Sequence, residues 1–294
     1  MTNWYDILSE VYSDCIVQIT AILQPCEARD LTYYSREFSL KHRLISWLSR
    51  SLSLSYTSRH GLAVGLKRKG GLGFLPGGRP TPEEEFLRKL DLTGKTVFDV
   101  GGFLGLMTLF FASRAKQVVT YEPVPESRRR IATNVELNGF TNVTLRDVAL
   151  SSEPGNLTLT FDELMSGGAS GDPEISHELA GSAAHPRHIT VPVTTIDLEI
   201  ASGQPVPDLI KVDVEGMEYK VLRGMSELLA RSKPWVYFEL HGTTPEDKRT
   251  NAQDVIATLR DLGYTVYDVE RGRDIGRTET ITGIESHVWG RCEA

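Results

Sequence analysis

Three carboxylates fall within six positions of the stretch "IKVDVEGMEYKVL", residues 210–222: Asp213, Glu215 and Glu218. Ile210, Val212 and Val214 alternate as in a strand, so the acids collect at the end of one hydrophobic strand. Like charges so close repel one another and resist dehydration, so they either stand in water or hold something. The next apolar run, "PWVYFEL" (234–240), ends beside a further acid and a histidine, Glu239 and His241. Such a set can take a proton from a hydroxyl, with His241 or Asp213 as general base. Alternatively, Asp213, Glu239 and His241 make an oxygen-rich group able to bind Mg2+ or Mn2+ and acidify the hydroxyl. No short-spaced ligand motif supports the second route, so no metal is assigned and proton transfer leads. Glu218 falls in the first turn of the following helix, where the helix dipole accounts for it as well as function does. His42, His60 and His287 are isolated in the sequence and receive no role.

A second constellation is "FDVGGFLG" (98–105), which follows a strand and opens a helix. Gly101 and Gly105 are four apart, so this is not the G-x-G-x-x-G of a dinucleotide site. Asp99, two residues before Gly101, would repel a pyrophosphate at the helix N-terminus and favour a cationic ligand. S-adenosylmethionine, with its sulfonium and ammonium, fits that demand, and Gly101, Gly102 and Gly105 allow close approach. The next strand ends "YEP", where Glu122 can accept hydrogen bonds from ribose hydroxyls, with Pro123 beside it. The third strand leads into "RDVAL" (146–150), where Asp147 can meet an adenine amino group while Val148 packs on the ring. An NAD(P) oxidoreductase is disfavoured by the missing glycine pattern and by Asp99.

The elements that must position these residues read as follows. Strands are expected at 95–100, 117–122, 142–147, 208–214, 234–240, 264–269 and 286–290, and helices at 103–115, 125–138, 217–231 and 249–262. "NLTLTF" (156–161) and "ITVPV" (189–193) read as an added hairpin or edge pair. "TPEEEFLRKL" opens a helix with Thr81 as N-cap, Pro82 at N1 and Glu84 closing a capping box. Strand–helix alternation predicts an α/β fold, a largely parallel sheet with helices on both faces, with ligands beyond the carboxyl ends of the strands. Residues 1–80 are expected to form a mostly helical N-terminal extension, and six glycines and two prolines in 65–80 mark a linker to the domain at 81–294. Residues 162–188 lack a period and read as a mobile substrate loop; His177, His185 and His188 within it have no partner cluster.

Bulk properties narrow the function classes. Net charge is −7 with a pI of about 5.6, so no global field draws the chain to nucleic acid. Cys15, Cys26 and Cys292 are widely spaced and fit neither a metal motif nor a disulfide framework. No apolar run approaches a membrane span and no basic n-region opens the chain, so a reducing cytoplasm is the expected location.

In this order, "FDVGGFLG", "YEPVPES…NVELNG", "RDVAL" and "LIKVDVEGMEYKVLRG" resemble the FkbM-type S-adenosylmethionine-dependent methyltransferases over roughly residues 95–242. The resemblance implies a class I, Rossmann-like methyltransferase fold with a seven-stranded sheet. It also implies methylation of a hydroxyl on a small molecule, a sugar, glycoside or polyketide-type natural product. The family loop more often reads D-V-G-A-N-x-G; here Gly102 and Phe103 replace the Ala-Asn pair, and Phe103 brings no side-chain amide. The sites implied are Asp99, Gly101, Gly102, Gly105, Glu122, Pro123, Asp147 and Val148 for the cofactor and Asp213, Glu215 and His241 for catalysis. Alternatives are a methyltransferase acting on a macromolecule and a non-catalytic S-adenosylmethionine-binding protein. The N-terminal helices are expected to serve as a lid or a homodimer contact.

Overall fold

A computed structural model of the protein describes residues 55–69, 79–162, 169–171, 186–283 and 286–292. All of them fall within one compact unit, Phe38–Ala294. The expected N-terminal helices, Cys15 and Cys26, and most of the 162–188 loop lie outside the described residues.

The central sheet is built from β3 (Thr96–Val100), β4 (Gln117–Tyr121), β5 (Val143–Arg146), β10 (Leu209–Val212), β11 (Trp235–Glu239), β12 (Thr265–Asp268), β13 (Arg273–Asp274) and β14 (His287–Arg291). Its order is β13-β12-β14-β11-β10-β3-β4-β5. From β11 to β5 every pairing is parallel; β14 is antiparallel to both β11 and β12. The sheet thus has eight strands rather than the expected seven. The extra strand, β13, is a two-residue edge that turns back on β12 through Gly272 (φ +66°), too short to leave a pattern in the sequence.

Helices cover both faces: α1 (Pro82–Lys89), α2 (Leu106–Ala112), α3 (Pro125–Leu137), α4 (Ile196–Ala201), α5 (Glu218–Arg223), α6 (Ser226–Arg231) and α7 (Pro245–Asp261). One buried cluster joins Phe98, Val100, Ile210, Val212, Val236 and Phe238 to α5, α6 and α7. The other joins Val97, Leu209, Tyr237 and Trp289 to α1 and α2. The period-2 alternation of the strands sorts their residues between these two cores. The helix expected over 217–231 is broken at Gly224, where a Cβ would lie 2.0 Å from the Ser151 carbonyl oxygen. Thr81 caps α1 by accepting from Glu84 N–H at 3.2 Å. The reciprocal capping box occurs instead on α7, between Thr244 and Asp247.

A separate four-stranded sheet holds β6 (Ala149–Leu150), β7 (Gly155–Asp162), β8 (Ala169–Ser170) and β9 (Pro186–Thr194) in the order β6-β9-β7-β8. The β7–β9 pair is the expected hairpin, longer than the apolar runs indicated. Residues 55–69, read as helix end and linker, carry an antiparallel pair, β1 (Ser55–Thr57) and β2 (Lys67–Lys69). Asparagines of α3 hold its edge: Asn138 exchanges two hydrogen bonds with the Lys67 backbone, and Asn134 accepts from Lys69 N–H. No helix among the described residues is long and apolar enough to cross a membrane.

Candidate functional site

The chain turns at Gly101 (φ +85°) immediately after β3. A Cβ there would lie 1.8 Å from the Asp213 carbonyl oxygen, so only glycine lets this loop cross the end of β10. Gly102 is enclosed by Thr120 and Ile131, and Gly105 packs on Ile131 as the N-cap of α2. The loop's N–H groups point inward. Gly101 and Gly102 donate to the Tyr121 carbonyl, Phe103 to Glu122 Oε2 at 2.7 Å, and Gly105 to the Gly102 carbonyl. A phosphate-binding loop needs those donors turned outward.

Glu122 accepts a second backbone bond, from Val124 N–H at 2.8 Å, on its other oxygen. Burial pushes its carboxyl up to about 7, against the pull of these two donors. The carbonyls of Glu122 and Pro123 both accept from Arg128 Nη1. Glu122 N–H donates to the Arg146 carbonyl at 3.0 Å, so Glu122 and Asp147 stand on adjacent strand ends. Asp147 is exposed, while Val148 is half-buried against the core.

Asp99, expected beside the ligand, is instead wholly enclosed beneath the loop. The pleat turns it to the face covered by α2, where Thr108 donates to its Oδ2 at 2.6 Å. Burial raises its carboxyl, and the charge of Lys211, 3.9 Å away, opposes that rise. Lys211 is the residue that sequence reasoning passed over. It sits opposite Asp99 in the β10–β3 register and is 2% exposed. It donates to Asp213 Oδ2 at 2.9 Å and to the Gly101 carbonyl at 3.4 Å. Burial alone would lower its ammonium, but Asp213 and Asp99 hold it firmly protonated. A lysine inside an otherwise apolar buried strand was the available signal, because buried lysines are nearly always paired.

Beyond β10 the chain strains. Glu215 adopts a left-handed conformation (φ +52°), followed by Gly216 (φ +94°). Fully buried Glu218 clamps this turn: its Oε1 accepts from Val214 N–H at 3.3 Å and Gly216 N–H at 3.1 Å. The same oxygen lies 3.1 Å from His241 Nδ1, and Oε2 accepts from Asn251 of α7 at 2.6 Å. Asn251 also donates to the His241 carbonyl. Gly242 brings this segment onto α7, since a Cβ there would meet Lys248 N at 2.1 Å. From the second sheet, Ser170 Oγ donates to the Glu215 carbonyl at 2.8 Å.

His241 gathers the carboxylates. Its Nδ1 lies 3.9 Å from Asp213 Oδ1, and its Nε2 lies 3.4 Å from Glu239 Oε1 and 3.9 Å from Glu215 Oε2. Burial would lower the imidazole, but Glu218, Glu239 and Glu215 outweigh it and raise it to about 11. Glu215 moves the other way from an ordinary acid, pushed up to about 7 by burial while His241 opposes. One ligand atom from each of Asp213, Glu239 and His241 falls within 4.8 Å of the others, spacing that a metal ion can close.

The chain is similar to proteins named as methyltransferases. The hexuronic acid methyltransferase AglP of Haloferax volcanii is 32% identical over 153 residues, 51% of this chain and 58% of that protein. Methyltransferase 1 of Beauveria bassiana is 26% identical over 163 residues, 50% of this chain and 61% of that one. The chain therefore spans about three-fifths of the length of these two curated relatives. Methyltransferase sdnD of Sordaria araneosa is 27% identical over 205 residues, 60% of this chain and 75% of that protein. A crystal structure of methyltransferase FkbM from Methylobacillus flagellatus is 14% identical with a TM-score of 0.44, over 67% of this chain and 43% of that one. The model of the methyltransferase FkbM domain matches residues 99–266, more than half of the chain, from Asp99 through the glycine loop and the β10 and β11 acids. The chain belongs to the methyltransferase FkbM domain family.

Proposed function

We propose that the protein is an S-adenosylmethionine-dependent O-methyltransferase whose acceptor is a hydroxyl of a small molecule, of the sugar, glycoside or polyketide type. The observation that carries this reading is the juxtaposition, at adjacent strand ends, of an inward-bonded glycine loop and a carboxyl near neutrality, Glu215, beside the His241 imidazole. The relative named a hexuronic acid methyltransferase supports a sugar-type acceptor.

The residues present fit the cofactor. The glycine loop keeps its N–H groups for the protein, which suits a ligand without phosphates. Glu122 retains a second lone pair on each oxygen for ribose hydroxyls, and Pro123, Asp147 and Val148 border the adenine end. Gly101, Gly102 and Gly105 form the floor, with Asp99 beneath them tying the loop to α2 and Lys211 rather than touching the ligand. Bound there, S-adenosylmethionine supplies an electrophilic methyl group.

The chain's own residues must deprotonate and orient the acceptor. Glu215 is the general base: a carboxyl near 7 is part-ionised at neutral pH, where a base works best. That replaces His241, whose imidazole near 11 has no lone pair to offer at neutral pH. His241 instead donates into the carboxylates and keeps Glu215 able to ionise. Asp213, fixed by Lys211 at 2.9 Å, presents its other oxygen to orient the hydroxyl.

A metal-assisted reading is favoured by one observation, the spacing of Asp213, Glu239 and His241, with Mg2+ as the expected ion. The test is mass spectrometry of products after incubation with labelled S-adenosylmethionine and a panel of uronic acids, glycosides and polyketides, with and without EDTA. Label in a small molecule is expected. Label only in protein or RNA would sink the acceptor class, and binding without transfer to anything would leave a non-catalytic binder. Transfer unchanged by EDTA would remove the metal-assisted reading.

A further inference from the structure

Helix α1 packs on the sheet face that carries Tyr237 and Trp289, with Phe86 against both rings at centroid distances of 6.1 and 5.5 Å. This seating sets Glu83, in the first turn of α1, over the end of β11 and the start of β14. There Glu239 and His287 are direct cross-strand partners. His287 Nε2 lies 3.7 Å from Glu83 Oε1 and 3.7 Å from Glu239 Oε2. The three ligand atoms all fall within 4.8 Å of one another.

Glu83 Oε1 and His287 Nε2 are sealed from water and lack a hydrogen-bond partner. A gap of 3.7 Å is too long for a hydrogen bond between them. Ligands at metal–ligand distances of about 2.1 Å in tetrahedral geometry sit about 3.4 Å apart, so a small rotation closes the set on an ion. The other ring nitrogen, Nδ1, hydrogen-bonds to Glu270 Oε1, and Glu270 Oε2 accepts from His287 N–H at 3.1 Å. The carboxylate on Nδ1 orients the ring so that Nε2 faces the two glutamates, as behind metal-bound imidazoles. Against burial, the surrounding carboxylates raise this imidazole to about 10, so an ion binds there by displacing the Nε2 proton.

We propose that Glu83, Glu239 and His287 form a binding site for a divalent transition-metal ion, Mn2+ or Zn2+, with Glu270 as the positioning residue behind the imidazole. One imidazole with two carboxylates suits these ions better than Ca2+, which wants six to eight oxygens. The two carboxylates balance the charge of the ion. Glu83, Glu270 and His287 all lie outside residues 99–266, the range that the family model matches. Only Glu239 is shared with the His241 group: its Oε1 faces His241 and its Oε2 faces His287. An ion held by Oε2 therefore fixes where Oε1 stands.

The site is tested on metal-free full-length protein. Titration with MnCl2 followed by electron paramagnetic resonance is expected to show one bound ion per chain. Crystals of the same protein soaked in MnCl2 should give one anomalous peak among Glu83, Glu239 and His287. Glu83→Gln and His287→Ala should abolish that ion, Glu270→Gln should weaken it about 10- to 100-fold, and His241→Ala should leave it in place. The soak uses the native chain, so the outcome does not depend on any variant folding. An absent peak, or one held by Asp213 and His241, overturns the proposal. So does a 15N spectrum in excess Zn2+ with both His287 ring nitrogens protonated, since a proton would then occupy the ion's place.

Discussion

The glycine loop after β3 and the acid turn after β10 touch at Gly101 and Asp213, yet they treat their polar groups in opposite ways. In the loop, the backbone donors and the two buried acids bond inward, to Tyr121, Thr108 and one another, with the Lys211 charge beside Asp99. In the turn, Glu215, Asp213 and Glu239 all face the His241 imidazole and stay one-quarter to one-third exposed. The first region is a finished frame that a ligand can lie against. The second holds charge in reserve, with backbone strain at Glu215 maintained by the Glu218 clamp.

The largest break in that contrast is expected from Glu215→Gln, which removes the reserve and leaves the frame. Turnover should fall about 10^2- to 10^4-fold with little change in the KM for cofactor. The native rate should climb as pH passes about 7, because the ionised carboxylate is the active form, and the variant should lose that limb. Stability moves oppositely. The folded pKa exceeds the ordinary 4.5, so the stabilising contribution is complete below 4.5 and lost as pH rises through about 7. Thermal melts of the variant should be flatter across that window.

Lys211→Met strikes the frame from below by stranding Asp99 without its cation. A loss of about 3–5 kcal/mol is expected from denaturant unfolding, since one partner of a buried ion pair is left behind. A small change would mean that Thr108 alone satisfies Asp99. Gly101→Ala tests whether the regions are coupled. The added Cβ collides with the Asp213 carbonyl and the left-handed φ is strained, so about 3 kcal/mol should be lost. Both KM for cofactor and turnover should suffer; an effect on KM alone would show the halves to be independent. The smallest effect belongs to Thr244→Ala, about 1 kcal/mol in thermal melts, from loss of the α7 cap that backs Asn251 and His241.

The frame was legible because its signals are local. Apolar runs ending at Asp99, Glu122 and Asp213 placed three strand ends, and sheet topology brought them to one edge. The acids of "VDVEG" were likewise visible, but their roles were not. Glu218 serves as a clamp through Asn251 and His241, and neither partner is near it in sequence. Pairing, not composition, separates Asp213, held by Lys211 Nζ at 2.9 Å, from Glu215, which faces His241. His287 looked isolated because its partners lie at positions 83, 239 and 270, brought together only when β14 runs antiparallel to β11 and α1 lies across them. Lys211 was readable in principle: an ammonium in a buried strand demands a counter-charge, and the parallel register supplies Asp99.

The hydrogen bond from Ser170 to the Glu215 carbonyl bears on how such an enzyme diversifies. The four-stranded insert is contiguous in sequence between β5 and α4, so evolution or an engineer can exchange it as a cassette. The exchange is not free, because the strained peptide takes one of its anchors from the cassette itself. A transplanted insert must bring a donor to that carbonyl, or the base loses its bearing whatever the new segment recognises. On the proposed mechanism, chimaeras that fold well but turn over poorly are repaired first at the residue standing where Ser170 stands.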